Sequence, residues 1–227
     1  MKSIKREDIF RYILAIVTAT FLVIACVAYP QSPLIVAPLF VSIVVMFLQS
    51  SANRYTYLLG GLNSILYAVA YLLMSLYGVA LQALLVSFPL QIWTFFRWKK
   101  NAYKSSTVFK RLTGKQYAVV LVVSAVCCVG GVLALRALGS ENSVLDTLVT
   151  VISTISAIFS LLSYIEYVSF SLCSAVLTVV LHAMIIRSAP AQLPYLIYSI
   201  YSVVCVALAF LKTRSLYREQ QREKKEK

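Results

Sequence analysis

Charged residues are scarce in this 227-residue chain: they make up 13% of it, whereas apolar residues make up 60%. With a mean hydropathy of +0.83, this composition excludes an ordinary soluble domain. Histidine occurs once, and the five cysteines form no Cys-x-x-Cys pair, so we expect neither a metal site nor a cofactor. The chain also lacks a nucleophile–base set and a glycine-rich phosphate loop, which argues against an enzyme.

Long apolar stretches fill most of the chain instead. Each has about the 17–20 residues that a membrane-spanning helix needs. The sequence therefore predicts an all-α membrane protein with eight transmembrane helices, over residues 12–29, 33–48, 57–76, 80–96, 117–135, 144–163, 167–186 and 193–211.

The basic residues are sorted between the connections of these helices. If the connections alternate sides, one side holds all but two of the 21 Lys and Arg residues, and the other side holds Arg136 and Arg187. The positive-inside rule then puts both termini in the cytoplasm, in a multi-pass protein of the inner (plasma) membrane. The net charge of +13 thus reflects topology and contact with membrane lipid, and we expect no nucleic-acid binding.

The chain contains a weak internal repeat. Helices two to four resemble helices six to eight at an offset of about 111 residues. A single helix separates the two sets, so both sets run in the same direction across the membrane. We therefore predict two parallel three-helix repeats joined by a linker helix, plus one extra N-terminal helix. The corresponding divisions are 1–32, 33–98, 99–143 (basic loop and linker helix), 144–212 and a charged, fraying cytoplasmic tail at 213–227.

Parallel repeats of this kind are a known plan of membrane transporters, which place the substrate site between the repeats. The alternative is a repeated helix pair without a transport role, as in a membrane scaffold or a receptor subunit. No carboxylate lies in the middle of an apolar stretch, where ion-coupled carriers commonly place one. This absence favours facilitated diffusion, and His182 is the one side chain that could change that interpretation.

Polar and aromatic side chains within the stretches are the candidates for substrate contact. Asn63, Tyr67 and Tyr71 are four residues apart and share a helix face. Amide and phenol groups orient a neutral polar solute, and rings stack on a flat heterocycle. The alternatives are bonds between helices for the amides and an interfacial belt for the tryptophans, which we favour for Trp98. The candidates are Asn63, Tyr67, Tyr71, Gln82, Gln91, Trp93, Phe95, Trp98, His182 and Tyr198.

Several short motifs resemble one known family. They are Gly61-Leu62-Asn63 with Leu66-Tyr67, Leu76-Tyr77-Gly78 with Leu81-Gln82, and the aromatic ending Thr94, Phe95 and Trp98. In this order they resemble the Pnu family of vitamin transporters, best known for nicotinamide riboside. The resemblance implies a seven-helix core, a homotrimer, and a substrate that enters down its gradient. A cytoplasmic kinase would then trap that small-molecule substrate by phosphorylation.

One departure from the family concerns the substrate clamp. Nicotinamide riboside carriers of this family have Glu-x-Trp-x-x-Trp followed by Asn or Asp, whereas this chain has Glu166 followed by Tyr-Val-Ser-Phe-Ser. Tyr167 and Phe170 supply a ring pair at the same spacing, one residue out of register, which turns the pair by about 100° on a helix. Thiamine, riboflavin or a deoxynucleoside therefore stand beside nicotinamide riboside as substrates, and a SWEET-like sugar carrier is a further alternative.

Overall fold

The computed structural model describes residues 6–73, 80, 83–137, 143–187 and 189–226, except for the side chains of residues 6, 7 and 71. This part of the chain is helical apart from one short hairpin, in which β1 (Ala102–Tyr103) pairs antiparallel with β2 (Ser106–Thr107). Its α-helices are α1 (Arg6–Ala28), α2 (Pro33–Ser50), α3 (Tyr55–Leu73), α4 (Phe88–Lys100), α5 (Gly114–Ala137), α6 (Ser143–Leu161), α7 (Tyr167–Ile185) and α8 (Leu193–Lys225).

Two irregular turns lead into helices. A 3₁₀ turn, Pro190–Gln192, precedes α8, and a π-helical turn, Ala83–Ser87, precedes α4. Pro89 stands at the start of α4, where it has no N–H to donate to the preceding turn, so regular α-helical bonding cannot run through this point. The π-helical turn accommodates that gap, and such turns are frequent beside functional sites.

The protein is a multi-pass membrane protein. Within the described part, six helices are long and apolar enough to cross a membrane: Asp8–Ala28, Pro33–Ser50, Gly114–Ala137, Ser143–Leu161, Tyr167–Ile185 and Pro190–Lys225. The helix α8 has 33 residues, or about 50 Å at 1.5 Å per residue, and therefore extends well beyond a hydrocarbon core of about 30 Å.

The helices pack in two sets of three. In the first set α3 packs against both α2 and α4, and in the second α7 packs against both α6 and α8. The two sets meet where α2 packs on α8 and where α4 packs on α6, while α1 lies against α2 and α8. Because six helices surround the junction of the two sets, side chains from all six can face a common interior.

The helix α5 packs at the edge of this bundle, against α6. None of its residues is buried, and Val119, Leu121 and Val126 are more than 60% exposed. A helix that is apolar all round and unburied suits contact with lipid. It approaches α6 closely at Gly131, where a Cβ atom would stand 2.6 Å from the Thr147 side chain.

The loop between α4 and α5 ties the end of the bundle where α1 begins and α8 ends. Ser105 O accepts a hydrogen bond from Arg54 N at 3.0 Å. The side-chain amide of Gln220 in α8 forms two hydrogen bonds with the loop backbone. Its Nε2 donates to Thr107 O at 2.9 Å, and its Oε1 accepts from Phe109 N at 3.0 Å. The expectation that the charged tail frays is therefore wrong, because the loop supplies partners that keep it helical to Lys225.

Two exposed side-chain contacts extend this docking of the tail. Lys104 Nζ donates to Glu219 at 2.5 Å, and Tyr103 OH donates to Glu223 at 2.7 Å. The hydrogen bond to Glu219 raises the pKa of Lys104, and the hydrogen bond to Glu223 raises the pKa of Tyr103. Both contacts are solvent-screened, so the backbone pairing with Gln220 is the stronger part of the docking.

Candidate functional site

A cavity of about 550 Å³ lies between the two sets of helices. All six helices of the two sets contribute to its wall, and its described lining includes no residue of α1 or α5. Many of the lining side chains are hydroxyls and amides, and none in the described lining is Lys, Arg, Asp or Glu. The cavity therefore suits a solute that hydrogen-bonds, and its described lining offers no cationic partner to an anionic one.

One wall is built on Asn63 of α3. Its side chain is 4% exposed, and its Nδ2 donates to Pro38 O at 3.2 Å and to Ser42 Oγ at 2.8 Å. Ser42 Oγ in turn lies 3.1 Å from Tyr67 OH. The spacing of four residues between Asn63 and Tyr67 thus puts both on the face of α3 that meets α2 and the cavity.

A second amide extends this wall from α4. Gln91 Nε2 donates to Ser64 Oγ at 3.0 Å, and Ser64 Oγ donates to Gly60 O at 3.0 Å. A Cβ atom on Gly60 would stand 2.0 Å from Gln91 Oε1. The Gln91 side chain therefore needs glycine at position 60 to lie flat against α3.

The opposite wall is rich in hydroxyl groups from α6, α7 and α8. Ser156 Oγ contacts Ser171 Oγ at 2.6 Å and donates to Tyr167 O at 2.8 Å, which joins α6 to α7. Thr154 donates back to Thr150 O of its own helix at 2.8 Å. The bonds of Ser156 hold α6 to α7, and each hydroxyl oxygen keeps the capacity to accept a further hydrogen bond.

Aromatic rings close the cavity at the end nearest the α4–α5 loop. Tyr57 and Tyr167 line it there, and behind them Trp98 packs edge-on against both, with ring centroids 4.7 Å and 5.7 Å away. Trp98 Nε1 donates to Ser160 O at 2.8 Å, and Phe109 of the loop stacks on Tyr167 at 6.2 Å. Ser160 Oγ also donates to Tyr57 OH.

This arrangement corrects the favoured interpretation of Trp98. The side chain is 1% exposed and lies inside the bundle, so it is not part of an interfacial aromatic belt. It links α4 to α6 and α7 behind the cavity wall, outside the cavity lining itself.

Half of the sequence candidates line the cavity: Asn63, Tyr67, Gln91, Tyr167, His182 and Tyr198. Four others lie elsewhere. Trp93 is 64% exposed because it stands two residues after Gln91, about 200° around the helix. Phe95 packs on Tyr55, Phe170 packs on Phe159, and Trp98 packs behind Tyr57 and Tyr167. Gln82 and the side chain of Tyr71 lie outside the described residues.

Sequence reasoning missed the contribution of α2. Ser42, Met46 and Gln49 line the cavity, and they stand four and three residues apart on one face of the helix. Ser42 and Gln49 are also among the few polar residues of an apolar run, so their spacing was a usable signal.

An uncharged polar cavity inside a bundle of membrane helices defines a membrane transporter for a small solute. The family model described as "Nicotinamide mononucleotide transporter" matches residues 32–214. The chain therefore belongs to this family of vitamin transporters, the Pnu family, as the sequence motifs predicted. No curated protein matches the chain.

A solved structure shares the fold. "Crystal structure of the Vitamin B3 transporter PnuC" superposes with a TM-score of 0.76 at 22% sequence identity, covering 96% of this chain and 95% of that chain. The family model begins at residue 32, after the end of α1. The structural match covers 96% of this chain, so it includes at least part of α1. The first helix is thus part of the shared fold.

Proposed function

We propose that this protein carries an unphosphorylated, ring-bearing, water-soluble vitamin or nucleoside, such as nicotinamide riboside, by facilitated diffusion. The observation that carries the proposal is the uncharged cavity in which three amides, several phenols and many hydroxyls converge. Thiamine, riboflavin and deoxynucleosides fit the same description. A cytoplasmic kinase then traps the solute, because a phosphorylated product has no cationic partner in the described lining.

The proposed architecture is two parallel repeats, 33–98 and 144–212, joined by the linker helix of segment 99–143. The pattern of contacts supports it: if α2, α3 and α4 correspond to α6, α7 and α8, then the contact of α2 with α8 corresponds to that of α6 with α4. The proposal includes eight spans, with α1 in segment 1–32 as an accessory helix and 213–227 as a cytoplasmic extension. It also includes the homotrimer that the family resemblance implies.

The direct test is uptake into liposomes that contain only this protein. Labelled nicotinamide riboside, thiamine, riboflavin and deoxynucleosides are offered in turn, with protein-free liposomes as the control. We expect saturable uptake of one of these. Absence of uptake for all of them, in protein that is shown to be monodisperse, contradicts the proposed function.

A sugar carrier is the second candidate, because the wall formed by α6, α7 and α8 is rich in hydroxyl groups. Such a wall suits either a free sugar or the ribose of a nucleoside. Competition separates the two: we expect excess nucleoside to block uptake and excess free sugar to leave it unchanged.

The topology prediction places the α4–α5 loop and both termini in the cytoplasm, on the basis of the sorted Lys and Arg residues. In a background without native cysteines, we expect Ser105→Cys to resist an impermeant thiol reagent in intact cells and to react after permeabilisation. Ala191→Cys, in the turn before α8, is the control and should react in intact cells. Both positions are exposed, so the reverse labelling pattern would refute this orientation.

The coupling prediction is that transport needs no ion gradient, because the described cavity lining contains no carboxylate. In liposomes without a kinase, the internal substrate concentration should rise only to the external one, and ionophores should leave that level unchanged.

His182 is the titratable histidine of the lining, so His182→Gln should remove any pH dependence of the rate between about 5 and 8. Accumulation above equilibrium under an imposed proton or sodium gradient would contradict the prediction.

A further inference from the structure

Gly60 and Ser64 of α3 form a notch in the cavity wall that holds the Gln91 side chain of α4. Ser64 Oγ donates to Gly60 O at 3.0 Å, so the hydroxyl hydrogen of Ser64 is committed to its own helix. Ser64 Oγ can then only accept, and Gln91 Nε2 donates to it at 3.0 Å. The notch therefore fixes the direction of the amide, with Nε2 at Ser64 and Oε1 over Gly60. All three residues line the cavity.

The oxygen of the Gln91 amide is accessible, unlike that of Asn63. Gln91 is half-buried, and no described residue donates a hydrogen bond to its Oε1. Asn63 Oδ1 also lacks a described donor, but it is enclosed by protein, whereas Gln91 Oε1 is not. The residues next to Gln91 Oε1 are Gly60, Ser64 and Val45, and all of them line the cavity. The free side of this amide thus opens toward the space that a solute would occupy.

The position of the amide depends on the missing side chain of Gly60. A Cβ atom at position 60 would stand 2.0 Å from Gln91 Oε1, far inside van der Waals contact. The amide is the end of a flexible side chain, so alanine at position 60 would push it out of the notch and leave the backbone in place. Gly60 lies inside α3, where alanine favours the helix more than glycine does. Glycine at this position therefore serves the placement of Gln91 and not the helix.

We propose that Gly60 is a positioning residue for substrate binding: by leaving the notch open, it holds Gln91 Oε1 as an acceptor for an N–H or O–H group of the transported solute. The inference rests on the proposed function and assigns this contact to one side chain of the wall. Nicotinamide riboside, thiamine, riboflavin and deoxynucleosides all carry such groups. Gly60 acts only through Gln91, and Ser64 assists by fixing Nε2.

The first test compares affinity with stability in one variant of the purified, full-length protein. The ligand is whichever of nicotinamide riboside, thiamine, riboflavin or a deoxynucleoside the wild-type protein takes up. We expect Gly60→Ala to weaken binding about 5- to 150-fold, as the loss of one buried hydrogen-bond partner does. The thermal midpoint should stay unchanged or rise, because alanine favours the helix. Wild-type affinity in folded Gly60→Ala overturns the inference.

Gly61→Ala is the matched control, because it adds the same methyl group one residue further along α3. Its Cβ would meet Ile92 Cδ1 at 2.8 Å, which is also the end of a flexible side chain. Gly61 is not in the described cavity lining. We expect this variant to keep the wild-type affinity within about twofold. An equal loss of affinity in Gly60→Ala and Gly61→Ala would show a general effect of bulk on α3 and overturn the role of Gly60.

A double-mutant cycle tests whether Gly60 acts through Gln91. Gln91→Met keeps the length of the side chain and removes the amide. If the two residues act as a unit, then Gly60→Ala, Gln91→Met and the double variant should all lose affinity to the same degree, within about twofold. If the two losses multiply in the double variant, the residues act independently and the inference fails.

A further variant covers the case in which Gly60→Ala does not yield monodisperse protein. Ser64→Ala removes the acceptor that holds Gln91 Nε2 and adds no bulk. It should weaken binding in the wild-type background and have no further effect in the Gln91→Met background; equal losses in both backgrounds overturn the inference. If the folded wild-type protein binds none of the offered solutes, the proposed function fails together with the inference. Binding that Gly60→Ala and Ser64→Ala leave unchanged refutes the inference alone.

Discussion

Adding a 5′-phosphate to the transported nucleoside is expected to weaken its binding by at least about 70-fold. A phosphate carries a charge of about −1.5 to −2 at pH 7, and a charge within a membrane protein costs at least about 2.5 kcal/mol unless a partner compensates for it. None of the described residues of the lining is Lys or Arg. The described basic side chains belong to the loops, the α8 extension and the helix ends, and none of them is in the described lining.

The measurement compares each nucleoside or vitamin with its phosphate in a competition assay on the wild-type protein at fixed ionic strength. The nucleoside supplies the internal control, because base and sugar are the same in both ligands. A phosphate that competes within tenfold of its nucleoside contradicts the prediction and removes the basis for trapping by phosphorylation. The description of the family names a mononucleotide, so this comparison also decides whether that name applies to this chain.

The sequence predicted the helices well because the signal for a membrane helix is a simple one. A run of about 20 apolar residues is long enough to span the hydrocarbon core, whatever it packs against. The bounds of α2, α6 and α7 accordingly agree with the expected stretches to within two residues at each end. The bounds differ at α4, where residues 83–87 of the predicted stretch form a π-helical turn, and at α8, which continues to Lys225 instead of ending at 211.

The site was harder to predict, because it depends on which face of each helix turns inward. Gln91 and Trp93 are both expected contacts, although residues two apart lie about 200° from each other around a helix. Only tertiary packing decides between them, and it turns Gln91 inward and leaves Trp93 64% exposed. The docking of Gln220 against the loop also joins distant parts of the sequence, because Gln220 follows Thr107 by 113 positions and Phe109 by 111. A single sequence gives no signal for such a contact.

The two walls of the cavity differ, although the proposed repeats pair the helices that form them. The first set supplies three amides, and two of them, Asn63 and Gln91, are held by hydroxyl groups of their own set, Ser42 and Ser64. The second set supplies hydroxyls and His182 in the equivalent region. A symmetric cavity would suit a symmetric ligand, whereas this one offers different partners to the two ends of a molecule. A nucleoside, with a flat ring at one end and a sugar at the other, has that asymmetry.

The largest loss of stability is expected from Trp98→Ala. This side chain is 1% exposed, contacts the rings of Tyr57, Tyr167 and Phe109, and donates from Nε1 to Ser160 O. Its removal leaves a large cavity where α4 meets α6 and α7, and such truncations cost about 3–5 kcal/mol. Trp98→Phe should cost less, since the ring contacts are largely kept and only the hydrogen bond is lost.

Trp93→Ala is the matched control, because it removes the same side chain from the same helix at a site that is 64% exposed. Thermal unfolding in one detergent should rank the midpoints as wild type close to Trp93→Ala, then Trp98→Phe, then Trp98→Ala. Equal midpoints for the two alanine variants would show that Trp98 does not hold the two sets of helices together. A normal midpoint with lost substrate affinity in Trp98→Ala would instead assign Trp98 to the substrate site, against its position behind the wall that Tyr57 and Tyr167 form.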